Sequence, residues 1–85
     1  MKVTFIQRSW GSDDTQVTLE KGVIPPIHSL MKMPSVDKLG NPVNHVVRDW
    51  AVEKIESELV FVANAYFEQR FTVFLSIVNG SMGDM

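Results

Sequence analysis

The chain lacks cysteine altogether, which removes disulfide bridges, thiolate metal centres and a cysteine nucleophile. Its five glycines, at 11, 22, 40, 80 and 83, stand singly, so no glycine-rich loop leads from a strand into a helix to cradle phosphate. The basic residues are equally dispersed. Lys2, Arg8, Lys21, Lys32, Lys38, Arg48, Lys54 and Arg70 form no stripe that would displace counterions from a duplex, so nucleic acid is not the expected partner. No apolar run approaches the roughly 20 residues that a helix needs to cross a bilayer, the stretch at 71–78 being far shorter. Arg8 falls where a signal peptide would continue its apolar core, so the expected setting is cytoplasmic, unprocessed and away from membranes.

What is present is 85 residues, 45% of them apolar, with ten acidic against eight basic side chains and a net charge of -2. That amounts to one small domain, expected over residues 1–80 with a frayed tail at 81–85. A domain of this size buries a modest share of its surface, and without disulfides it gains from packing against a partner.

Residues 2–10 alternate, with Val3 and Phe5 on one side and Thr4, Ile6 and Arg8 on the other; residues 15–24 do so again around Val17, Leu19 and Val23. Gly11, Ser12, Asp13 and Asp14 supply a turn between them, so the chain is expected to open with a β-hairpin. Pro25 and Pro26 end the second strand, and residues 25–41 are expected to form a proline-bounded connection with at most one helical turn. Asn41 and Pro42 suit the cap and first position of a helix. Val43, Val46, Val47, Trp50, Ala51, Ile55, Leu59, Val62, Ala63, Tyr66 and Phe67 then recur at intervals of three and four, which predicts one long amphipathic helix over 42–70. Residues 71–78 alternate again and predict a buried C-terminal strand.

The expected fold class is therefore α+β: a small ββαβ domain with the long helix on one face of an antiparallel sheet. A competing order, ββαββ, ends the helix near Ser57 and makes residues 59–63 a strand, since Val60, Phe61 and Val62 favour strands. It is the less favoured reading, because residues 64–70 offer poor hairpin-turn chemistry. The helix would be about 44 Å long against about 27 Å for an eight-residue strand, and Phe61, Phe74 and Trp10 would be left on uncovered faces. Surplus apolar surface of this kind predicts a homodimer or a tight partner.

Catalytic constellations are sparse. His45, Asp49 and Glu53 stand four apart and would share a helix face, but a solvated face contains such stripes routinely, so no metal is expected. The serines lie in no nucleophile-elbow context, and Asp13 with Asp14, or Glu56 with Glu58, read as turn and surface residues. No catalytic residue and no cofactor are expected.

The expected function is that of a small non-enzymatic interaction protein, a homodimer that binds another protein, inhibition being one form that binding could take. Its contact residues would be Trp10, Ile27, His28, Met31, Lys32 and Met33 in and near the proline-bounded loop, with Phe61 and Phe74 from the surplus apolar surface. The alternative is an oligomeric small-ligand binder, with Asn41, Asn44, His45 and Arg48 holding a phosphate or nucleotide at the helix N-terminus.

Overall fold

The computed structural model describes residues 2–9, 13–63 and 66–78, except for the side chain of His45. Among them there is no helix. The protein is all-β, which overturns the α+β expectation: β1 (Lys2–Arg8), β2 (Thr15–Leu19), β3 (Leu30–Val36), β4 (Pro42–Val62) and β5 (Tyr66–Ile77) form one mixed sheet in the order β2-β1-β5-β4-β3. Only β1 and β5 run parallel; the other neighbours are antiparallel.

The opening hairpin forms, with Phe5 opposite Val17, although its strands end at Arg8 and Leu19. The C-terminal strand forms as well, and turns Val73 and Leu75 into the core. The long helix does not form. Its residues make β4 and most of the first half of β5, a hairpin that pairs from Trp50 opposite Ile77 to Val62 opposite Tyr66. Two irregularities hide the strand. Near its start, Pro34 pairs with Val47 but Val36 pairs with Pro42, so residues 43–46 bulge out, with Asn44 at a φ of 62°. Further on, the register shifts between Val52 and Lys54. Each bulge moves the inward positions out of step, so a period of two imitates intervals of three and four. β-branched valines at 43, 46, 47, 52, 60 and 62 supply the strand preference. Pro42 serves as the first residue of the strand, a position that proline tolerates as well as a helix start.

The supposed connection also contains a strand. In β3, Met31 and Met33 pack against the core while Leu30 and Lys32 face outward. Pro34 is admissible there because β3 is an edge strand.

The core is one sheet face: Val3 and Phe5 from β1, Val73 and Leu75 from β5, and Trp50 and Val52 from β4, each at most 1% exposed. The sheet curls around them into a half-barrel. Gln7, the one buried polar residue among those described, clasps the two sides. Its side-chain amide donates to Pro34 O, and its Oε1 accepts from Val36 N, both at 2.9 Å, so a β1 side chain satisfies two backbone groups on the edge of β3. Trp50 Nε1 donates to Met33 O at 2.9 Å and fixes the same strand from β4.

Residues 20–29 close the open side by crossing from β2 to β3. Gly22 lies so close to β1 that a Cβ there would sit 2.8 Å from Val3 Cβ. Ile24 packs on the core. The crossing ends in a turn in which Ser29 N donates to Pro26 O and His28 takes a φ of 66°. His28 N then donates to Val52 O, and Val52 N to Ser29 O.

Candidate functional site

Beyond the pair Glu58 and Arg70, β1 no longer borders β5, and beyond Val52 nothing described borders the outer edge of β4. Residues 59–62 and 66–69 thus project as a two-stranded arm. The molecule is elongated accordingly, 51 × 26 × 22 Å with a radius of gyration of 14.0 Å. A compact chain of this length would have a radius near 12 Å.

Strand alternation gives the arm two faces. On the face continuous with the core lie Ile55, Leu59, Phe61, Phe67 and Phe71, of which Ile55 and Phe71 rest against the core cluster. Leu59, Phe61 and Phe67 are 66%, 64% and 61% exposed. Phe61 and Phe67 form a cross-strand edge-to-face pair with centroids 5.7 Å apart. On the opposite face are Lys54, Glu56, Glu58, Glu68 and Arg70, succeeded toward the tip by Val60, Val62 and exposed Tyr66. No charged residue occurs from 59 to 67. Isolated hairpins are marginal in water, and aromatic side chains of this size are costly to leave wet.

Two ion pairs form on the charged face. Arg70 Nε donates to Glu68 Oε2 at 2.7 Å, and this hydrogen bond, with the guanidinium charge, lowers the Glu68 carboxyl below its ordinary range. Lys54 reaches Glu56 at 2.8 Å. An open polar cleft of about 450 Å³ lies where the arm leaves the sheet, lined by Glu56, Ser57, Glu58, Arg70 and Thr72. It holds neither an imidazole nor an activated hydroxyl, and among the described residues no three His, Asp or Glu side chains gather as metal ligands.

The expected site residues are dispersed. Trp10 lies outside the described residues, as does the tail at 81–85. Ile27 and His28 are exposed on the crossing loop; Met31 and Met33 lean on the core, and Lys32 pairs across the strands with Asp49 at 2.7 Å. Phe61 is on the arm. Phe74 sits mid-sheet on the outer face, with Arg8 and Lys54 5.2 and 5.3 Å from its ring centre. Asn41 and Asn44 are exposed near the start of β4, the side chain of His45 is not described, and Arg48 is half-buried. The helix N-terminus that was to make these four an anion site is absent. His45, Asp49 and Glu53, one face of a helix, are instead spread along a strand that rises about 3.4 Å per residue. Leu59 and Phe67 belong to the expected helix face; the sequence signal for the arm is the uncharged stretch at 59–67, centred on a run of strong strand formers.

The chain matches no protein-family model, no curated protein and no solved structure.

Proposed function

We propose that this protein is a binding module whose contact element is the β4–β5 arm. One observation carries the reading: three large apolar side chains, each more than 60% exposed, sit side by side on an uncharged tip held away from the core. Together they present on the order of 350 Å² of apolar surface, the size of patch that on small proteins marks an interaction site. An enzyme would need a polar constellation in a recess, and the polar cleft at the base of the arm offers only two carboxylates, a guanidinium and two hydroxyls.

Site-specific photocrosslinking tests the reading. A benzophenone amino acid in place of Phe61 is expected to form adducts with polypeptide, a second copy or another protein. The same group in place of Leu39, 85% exposed on the turn between β3 and β4, is expected to form none. Equal yields at the two positions, or no adduct at Phe61, overturn it.

A further inference from the structure

Resting on that reading, we propose that the arm's partner is a second copy of this chain, joined by antiparallel pairing of the two free β4 edges about a twofold axis at Val60.

The free edge is long. β3 leaves β4 at Leu30 opposite Ala51, and the last bonds across that edge are those of Val52 with His28 and Ser29. From Glu53 to Val62 the backbone groups on that side meet no other described strand. Natural edges are guarded by proline, by inward charges or by bulges. Here the one bulge is at the base, the charges of Lys54, Glu56 and Glu58 point to the outer face, and residues 59–62 have no guard of any kind. An edge of this sort templates the addition of another strand, and an identical edge closes the contact with symmetry.

Parity, charge and apolar matching then select the register. Antiparallel neighbours place opposed residues on the same sheet face, so odd positions of one copy must oppose odd positions of the other. A twofold at Glu58 would oppose Glu58 to itself, and one at Ser57 would oppose Glu56 to the partner's Glu58, in both cases setting carboxylate against carboxylate. Twofolds at Leu59, Val60 and Phe61 oppose no two charges, but the first sets Phe61 against the partner's Ser57 and the last sets Leu59 against the partner's Ala63, so Val60 alone matches both large apolar side chains. Leu59 meets the partner's Phe61, and the reciprocal pair forms across the axis, while Glu58 meets the partner's Val62. Phe67, already in contact with Phe61, extends each row, so six apolar side chains of two copies lie in adjacent rows on the uncharged face. Aliphatic–aromatic cross-strand pairs of this kind are stabilising. The acidic faces of both arms remain in water.

Two sets of variants read the register directly. The chain has no native cysteine, so Val60→Cys introduces a single thiol at the axis. Opposed antiparallel residues have Cα atoms about 4.5–5.5 Å apart, within disulfide range, and Val60→Cys should oxidise to a covalent dimer while Val23→Cys, on the exposed crossing loop, stays monomeric. Independently, light scattering should report twice the 9.6 kDa chain mass for the native protein. It should report the single mass for Val60→Lys and for Val60→Glu alone, and the doubled mass again when those two variants are mixed. Recovery by mixing requires residue 60 of one copy to face residue 60 of the other. A monomeric native protein at micromolar concentration, failure of the mixture to recover the dimer, or Val60→Cys oxidising no faster than Val23→Cys overturns the proposal. Photoadducts at Phe61 confined to a different polypeptide, or insertion of the arm into neutral phosphatidylcholine vesicles by a monomer, overturn it too. The first of these would leave the arm as the contact element; absence of any adduct at Phe61 removes both readings.

Discussion

Three residues hold positions that no other side chain fills equally well. Gly22 passes over Val3 with no room for a Cβ, and the obstacle is a buried β-branched carbon on a central strand, which cannot swing aside. Gly22→Ala is expected to cost roughly 1–3 kcal/mol, as overpacking does, and a urea titration would show it as a lowered midpoint. Gln7→Leu fits the same space but orphans Pro34 O and Val36 N. The expected loss is about 1–3 kcal/mol, accompanied by faster hydrogen exchange at the Val36 amide than at Phe5. Glu68 is the third case. Its folded carboxyl titrates below the ordinary value because Arg70 donates to it, so the pair's contribution is complete above the unfolded-state value and is lost as pH falls through the depressed folded one. Arg70→Gln should return Glu68 to the ordinary carboxylate range in an NMR titration; an unchanged titration would show that the hydrogen bond does not set it.

At the level of elements, the ends of the chain could be read and the middle could not. Val3, Phe5, Val73 and Leu75 alternate cleanly because their strands are free of bulges and central, and the inward residues are those the pattern selects. β4 defeats the same reading because alternation survives only between bulges. Its inward residues run 50, 52, 55, 57, 59 and 61, and the single interval of three, combined with a displaced start at 43–46, spreads valines over both faces as a helix would. The competing order with a strand at 59–63 matches residues 59–62, but the helix it sets before them is part of the same strand. What spoke against it was turn chemistry, yet the strands end at Val62 and Tyr66 and need only the three residues between them. Of the expected contact residues, Phe61 alone is on the arm, since burial and pairing depend on which strands are neighbours, and a period does not encode that. Asn44 offers a check on the bulge. Its φ of 62° is the left-handed region, so Asn44→Gly should leave stability within about 0.5 kcal/mol, whereas Asn44→Val should cost roughly 1–2 kcal/mol in the same urea titration.

For the whole molecule, the decisive fact is that the first and last strands are neighbours. β1 and β5 pair in parallel from Lys2 with Arg70 to Arg8 with Ser76, at the centre of the sheet. Contacts that distant in sequence close slowly, and stopped-flow refolding is expected to fall in the millisecond-to-second range typical of non-local β topologies, not in microseconds. Synthesis imposes a further order. A ribosome adding about 5–20 residues per second reaches β5 several seconds after finishing β1, and in that interval Val3, Phe5 and Gln7 have β2 on one flank and no strand on the other. Four of the six core residues, those of β1 and β4, are therefore made in advance of the strand that lies between them, and until then the nascent chain must be kept from pairing with its neighbours on the same message.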